Sequence, residues 1–313
     1  MAVRTTGNIK NGASPAVYMQ NFLRKQVLEN LEPELYFAKY GQVSKAENGY
    51  LTLSWARFDQ LTRTVAQVTL TEGVTPTEVD ATVTVVQATP VQYGMQVVIS
   101  DFLQKTSPIS SILELVGREV AANMMRVIDK VIQAELITNG TNVIYANGRA
   151  NRAALIAGDV VTGADISKVA IKLRKLNAKT ISEGCYVGIV DNFVAGDIRN
   201  SSTGLWLDAN KYVTNGAILN GETGKLQGIK IVETSNIDTV ATGITVYPSY
   251  FIGKDAYGIA NWQNMETIFH PIGSGGTADA LNQRATVGAK IAFAAKMLQQ
   301  NALVRLESSA TSV

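Results

Sequence analysis

The 313-residue sequence predicts an α+β chain that cannot complete its own surface. Three observations carry that expectation. The stretch from Gly49 to Ile99 has strand patterning but little apolar content to bury against itself. A pattern of about thirty residues after Ser107-Pro108 reads as one long helix. Strand patterns lie on both sides of that helix, so one domain is built from two separated segments.

Hydrophobic residues make up 46% and charged residues only 17%. Average soluble domains carry roughly 25% charge. An apolar, charge-poor chain either enters a membrane or covers its surface with partners. The run Ile291 to Ala295 is closed by Lys290 and Lys296, and no apolar stretch reaches the roughly 18 residues of a span. Met1 to Asn11 lacks the apolar segment of a secretory signal. The expectation is a soluble assembly with no membrane partner.

One Cys, Cys185, and one His, His270, narrow the chemistry. An intramolecular disulfide needs two thiols. A zinc site of thiolates and imidazoles needs three or four ligands. His270 ends an apolar strand at Pro271 and reads as structural. Cys185 reads as a small buried hydrophobe in a strand. No cofactor is expected. The net charge of +2 is far from that of a dedicated nucleic-acid binder. Its distribution is uneven. Residues 1–45 carry +3, while residues 51–100 carry −2 and contain no Lys. A basic arm and an acidic extended segment can complement each other between copies.

Residues 1 to 16 read as an arm. From Pro15, Val17, Phe22, Leu23, Val27, Leu28, Leu31 and Leu35 recur at helical spacing, with Pro33 as a stop. Within Gly49 to Ile99, a stretch with ten Thr and many Val, Gly49 to Arg57, Val79 to Val86 and Val91 to Ile99 read as strands by period and β-branched content. Asp59 to Glu78 between the first two is polar. A long hairpin with a polar tip is a poor independent fold. Ser107 and Pro108 open the long helix, which runs to Thr138 with Asn139-Gly140 as its stop. Its stripe is Ile112, Val116, Val120, Met124, Val127, Val131 and Ile132, with Glu114 and Arg118 paired on the polar side.

Asp159 to Ile259 reads as a separate α/β domain. Asp165 or Ser167 caps a helix, Tyr186 to Val190 is a buried strand, and Asp191 caps a helix over Asn192 to Arg199. Leu226 to Glu233 and Ile244 to Ile252 are strands. Thr267 to Phe269, Ala285 to Ala295 and Leu303 to Glu307 return to strand pattern. Gly221-Glu-Thr-Gly224-Lys225 lacks the spacing and following helix of a phosphate loop. No carboxylate pair stands out among Glu233, Asp238, Asp255 and Glu266.

Four blocks are recognisable. They are Leu70-Thr-Glu-Gly-Val-Thr-Pro-Thr77 with Val91-Gln-Tyr-Gly94 and Val98-Ile-Ser-Asp101; Leu219 to Thr234; Phe251-Ile-Gly-Lys-Asp-Ala-Tyr-Gly258; and Asp279 to Ala295. In order, over about residues 15 to 308, they resemble the major capsid proteins of tailed phages, specifically the family typified by coliphage N-four. Ala280 and Ala289 stand where that pattern has Pro and Trp.

The resemblance implies a Hong Kong 97-like fold, an α+β class. It assigns 1–48 to an N-terminal arm and 49–92 to an extended loop lying on a neighbouring subunit. It assigns 93–158 with 259–313 to a peripheral domain and 159–258 to an axial domain. It implies a bacteriophage virion shell of hexamers and pentamers, assembled in the host cytoplasm around double-stranded DNA. Separate scaffolding, portal and decoration proteins are possible partners. The expected site residues are Arg57, Arg63, Glu72 and Pro76 at contacts between subunits, and Arg24 and Lys25 as DNA-facing or interface charges. Some relatives crosslink through a loop Lys; residues 46–104 have none, so no such bond is expected. The competing readings are another phage or cell-surface lattice protein, and a carboxylate-dependent hydrolase with a long lid.

Overall fold

The structure is a computed structural model. It describes residues 36–46, 51–59, 61, 63–75, 78, 80–107, 112–181, 184–201, 222–241, 243–274 and 279–311. The expected Pro15 helix, Arg24, Lys25, Pro76 and the helix start at Pro108 lie outside the described residues. The chain divides into two compact units.

The larger unit holds residues 33–93, 125–264 and 291–313. Its main sheet has the order β5-β13-β10-β6-β8-β7, with β9 also paired to β10. These strands are β5 (Val143–Tyr145), β6 (Tyr186–Asp191), β7 (Glu222–Leu226), β8 (Ile229–Thr234), β9 (Val240–Ala241), β10 (Thr245–Ile252) and β13 (Leu303–Ser308). β10 runs antiparallel to both β13 and β6, while β6 and β8 are parallel. Every residue of β6 is buried, as a central strand requires. A Cβ on Gly188 would meet the Phe251 ring at 2.8 Å, so only Gly lets β6 and β10 close up there. The pairing of β5 and β13 with β10 brings segments around 143 and 303 into the sheet of the expected axial span.

One face of this sheet carries α5 (Gly163–Lys175) and α6 (Asn192–Ser201). Ile166, Val169 and Leu173 on α5 pack with Val304, Leu306 and Phe251 from the strands. The α5 cap differs from expectation. Thr162 is the N-cap, and its side chain and Asp165 form a capping box. Asp191 caps α6 as expected, accepting from the Phe193 N–H at 2.9 Å.

The opposite face carries the second half of α4 (Ile112–Asn139). Arg305 on β13 donates to the carbonyls of Leu136 and Ile137, at 3.2 and 2.7 Å. A cation at a helix C-terminus satisfies orphan carbonyls and opposes the helix dipole. Glu307, fully buried, accepts from Arg305 at 2.8 Å and from both nitrogens of an Arg152 fork. The carboxylate of Asp129, on α4, accepts from the N–H groups of Tyr36, Phe37 and Ala38 at 3.1, 3.4 and 3.1 Å. It thereby caps α1 (Phe37–Tyr40). Phe37 is buried edge-on against Tyr250, and its carbonyl accepts from Tyr257 at 2.6 Å. Burial pushes the Asp129 carboxyl above its ordinary range, against the pull of those backbone donors.

The long helix follows expectation in its Val120, Met124 and Ile132 stripe and in the Glu114–Arg118 pair at 2.7 Å. The same buried side also holds two polar residues, Asp129 and Gln133. Gln133 donates to the Asn236 carbonyl and accepts from the Asp238 N–H. Ahead of α4 stands a separate helix, α3 (Asp101–Thr106), which the pattern did not predict. The Ser100 hydroxyl caps it, and Ser107 turns extended because the next residue is proline. The strand expected over Leu226–Glu233 is two strands. Gln227 and Gly228 both have positive φ and form a two-residue hairpin turn between β7 and β8.

Also in the larger unit, β1 (Gln42–Lys45) pairs in parallel with β11 (Tyr257–His270), from Gln42↔Gly258 to Lys45↔Asn261. β11 is longer than the Thr267–Phe269 strand the sequence predicts.

The smaller unit holds residues 94–124 and 265–290 among the described ones. There the end of β11 neighbours the start of β12 (Arg284–Met297), which neighbours β4 (Val91–Ser100). Asp279 accepts from the N–H groups of Gln283 and Arg284, which holds its carboxyl below the ordinary range. His270 is expected to be a structural residue at a strand end. It is exposed at the end of β11 and lines an open cavity of about 460 Å³ with Gln96, Thr286 and Lys290. Cys185 is half-buried rather than buried.

Candidate assembly surface

The span from 51 to 88 folds as one hairpin, β2 (Leu53–Phe58) against β3 (Val83–Ala88). Its register sets two faces. Leu53↔Ala88, Trp55↔Val86 and Arg57↔Thr84 share one; Ser54↔Gln87, Ala56↔Val85 and Phe58↔Val83 share the other.

The first face anchors the hairpin at its base. Ala88 is fully buried in a small cluster with Ala260 and Ala294, flanked by Leu53, Trp55 and Trp262. Trp55 Nε1 donates to the Ser44 hydroxyl at 3.1 Å. A Cβ on Gly258 would come within 2.8 Å of the Trp55 ring, so this glycine admits the indole. Arg57 reaches the Leu298 carbonyl at 3.4 Å and the Asp59 carboxylate at 3.2 Å. Asp59 also accepts from the Thr84 hydroxyl at 2.7 Å, which with Arg57 holds its carboxyl below the ordinary range.

Beyond Phe58 the hairpin has no such support among the described residues. A short helix, α2 (Val65–Val68), is closed by a Thr64–Gln67 capping box and buries no residue. A turn follows, with Gly73 at φ 78° and the Val74 N–H donating to the Thr71 carbonyl. Leu61, Val65, Val68, Leu70 and Val74 are all exposed, Val65 by 81% and Leu70 by 71%. Phe58, Val83 and Val85 continue this surface along the outer face. Burying a side chain of this kind fully is worth about 1.5–3 kcal/mol. Large apolar side chains exposed together along one hairpin point to an interaction surface.

The structure spreads the sequence-picked residues along the hairpin rather than gathering them. Arg57 sits at the base, half-exposed and partly engaged within its own chain. Arg63 is on the tip and donates to the Glu78 carbonyl at 3.3 Å. Glu72 is exposed in the turn. The sequence reading did not pick out the exposed apolar row. Its signal was present in residues 61–74, where Leu61, Val65 and Val68 recur at helical spacing inside an otherwise polar stretch.

A second surface lies where β2 leaves the body. A cleft of about 800 Å³ is bounded by Arg57, Phe58, Asp59, Lys175, Asn177 and Lys179. Residues 175–179 form one wall, with Lys175 and Lys179, and the adjoining residues 172–174 add Lys172 and Arg174, with no acid in the segment.

The carboxylates weighed for hydrolysis are engaged elsewhere. Glu233 pairs with Arg199, Asp238 with Lys130, and Glu266 with Lys290; Asp255 occupies a positive-φ turn. Among the described residues no group of three or more His, Cys, Asp or Glu is placed to hold a metal ion. Among them, too, no helix is long and apolar enough to cross a membrane.

Neither the protein-family models nor the curated proteins yield a match to this chain. Solved structures do. The capsid asymmetric unit of cyanophage Pam1 matches with a TM-score of 0.75 at 13% identity, covering 100% of both chains. The capsid of Ralstonia phage GP4 matches at 0.72 and 12% identity, covering 100% of this chain and 99% of that one. The holo-SrpI encapsulin complex of Synechococcus elongatus matches at 0.58 and 10% identity, covering 99% and 97%. The chain therefore has, over its whole length, the mixed α+β fold of phage capsid structures.

Proposed function

We propose that this chain is a phage major capsid protein whose copies assemble into a closed icosahedral shell of hexamers and pentamers. On this reading the fold is Hong Kong 97-like. The arm is 1–48, the extended loop 49–92, the peripheral domain 93–158 with 259–313, and the axial domain 159–258. The observation that carries it is the apolar hairpin tip, exposed on a chain that shares its fold end to end with capsid structures. Among the described residues nothing covers the tip's apolar side chains, and on this reading a neighbouring copy does. Obligate interfaces of this kind bury roughly 2,000–5,000 Å² or more. The work is geometric, with no catalytic step. The shell encloses double-stranded DNA, which its inner surface contacts without sequence preference. Arg24 and Lys25 belong to that inner or interface charge, and Arg57, Arg63, Glu72 and Pro76 to the contacts between subunits.

Expression of the chain alone, followed by electron microscopy and sedimentation, tests this. Closed shells or ring-shaped capsomers are expected; a monomer at every concentration overturns it. The encapsulin match favours a second reading, a shell outside a virion. Shells purified from infected cells and carrying the phage genome decide for the first. With no Lys between residues 46 and 104, boiled shells should run as a single band near 33.6 kDa rather than as a covalent ladder.

A further inference from the structure

We propose that the cleft between β2 and the loop after α5 receives the acidic hairpin tip of a second copy, with Lys175 and Lys179 facing Glu72, Glu78 and Asp80. This rests on the capsid reading and deepens it, by naming the surface that the tip lies against.

Charge complementarity is the first argument. Lys172, Arg174, Lys175 and Lys179 crowd into eight residues without an acid. Three of them belong to the last turn of α5, where cations favour the helix dipole. Lys179 lies past the helix and has no such reason to be there. Lys175 and Lys179 are exposed and line the cleft with Arg57. The tip carries the opposite sign: Glu72, Glu78 and Asp80 against Arg63 alone, all exposed.

Shape and polarity agree. The cleft is large enough for several side chains, and its rim carries the exposed Phe58 and the half-buried Leu176. Those are apolar contacts for Leu70 or Val74 beside the acids. The amides of Asn177, Gln299 and Asn301 offer hydrogen bonds to an extended backbone. The chain's own tip does not occupy this cleft, because its apolar side chains stand exposed. A second copy brings an identical tip, so one surface and one tip per chain generate a head-to-tail contact, of the kind that makes a ring where its rotation closes. Double-stranded DNA is the other anion such a cleft can meet, but its stacked bases leave a phosphate surface with no apolar partner for Phe58 and Leu176.

A mixing experiment separates these outcomes. Lys175→Glu with Lys179→Glu gives a chain with an acidic cleft and an acidic tip. Glu72→Lys with Glu78→Lys gives a chain with a basic cleft and a basic tip. Both sets are surface changes, and far-UV circular dichroism checks that each chain folds. Sedimentation velocity on nuclease-treated protein should show each variant's self-association about tenfold or more weaker than wild type. An equimolar mixture should associate again, as should the chain carrying all four changes. Folded variants whose mixture and four-change chain both stay apart would overturn the proposal. So would rescue of the basic tip by Arg24→Glu with Lys25→Glu instead, which would place the tip on the arm. A cleft variant that assembles normally but holds less nucleic acid would also overturn it, assigning the cleft to nucleic acid. Association without closed shells would retain the cleft and reject the capsid reading.

Discussion

The base and the tip of one hairpin obey opposite rules. At the base, each inward side chain has a partner: Trp55 with Ser44 and Gly258, Ala88 with Ala260, Arg57 with Leu298. At the tip, the turn and the short helix satisfy their backbone locally, and Leu and Val stand in solvent. The base therefore belongs to the folding of one chain. The tip is shaped by local capping and turn chemistry, and its apolar side chains are reserved for association. A body that folds alone and a tip that waits for a neighbour let assembly follow folding rather than compete with it.

The largest effect separating the two belongs to the body. Glu307→Gln leaves Arg305 and Arg152 facing an amide in a buried site. Breaking a buried charge network by removing one member costs about 3–5 kcal/mol. Chemical denaturation should show that loss, and shells should vanish because the fold has. Asp129→Ala comes next. It strips three backbone N–H groups of their acceptor, and an unmet buried donor costs about 1–3 kcal/mol. Thermal melting should show the loss, with proteolysis starting near residues 36–40.

Acid probes the body more gently. Asp159 accepts from Arg149, Asn147 and the Ile156 N–H, and its pKa is lowered from 3.8 to about 2, with the Arg149 hydrogen bond as the main cause. Its unfolded form takes up a proton near pH 3.8, while the folded form resists until about pH 2. The stability this group contributes is full above that window and is lost as pH falls through it. Asp159→Asn should flatten that part of an acid-denaturation curve. The smallest effect on folding is expected at the tip. Val65→Ser with Leu70→Ser should change stability by no more than about 0.5 kcal/mol, as exposed sites do. The same pair should abolish or greatly slow shell formation, measured by light scattering. A pair that leaves assembly intact would break the comparison.

The sequence made the hairpin legible because β-branched residues at period two, with a polar middle, have few other readings. It made the long helix legible from Val120, Met124 and Ile132. It did not reveal that Asp129 and Gln133 are buried on that helix, because their partners are Tyr36 to Ala38 and residues 236–238, far away in sequence. The β7–β8 hairpin was hidden because Gln227 takes a positive φ that the usual Asn-Gly signal leads one to assign to Asn. The apolar neighbours of His270 did not reveal that β11 runs out into solvent there, with Phe269 exposed beside it. The acidic tip was visible as charge, but the basic wall at 175–179 gains meaning only when β2 lies opposite it.

Amide hydrogen exchange over residues 61–75, compared between unassembled chains and assembled product, tests the central claim most directly. Burial of the tip by a neighbouring copy predicts fast exchange in the free chain and strong protection after assembly, while the β6 and β10 amides stay protected in both states. Exchange at the tip that stays equally fast in assembled particles would contradict it.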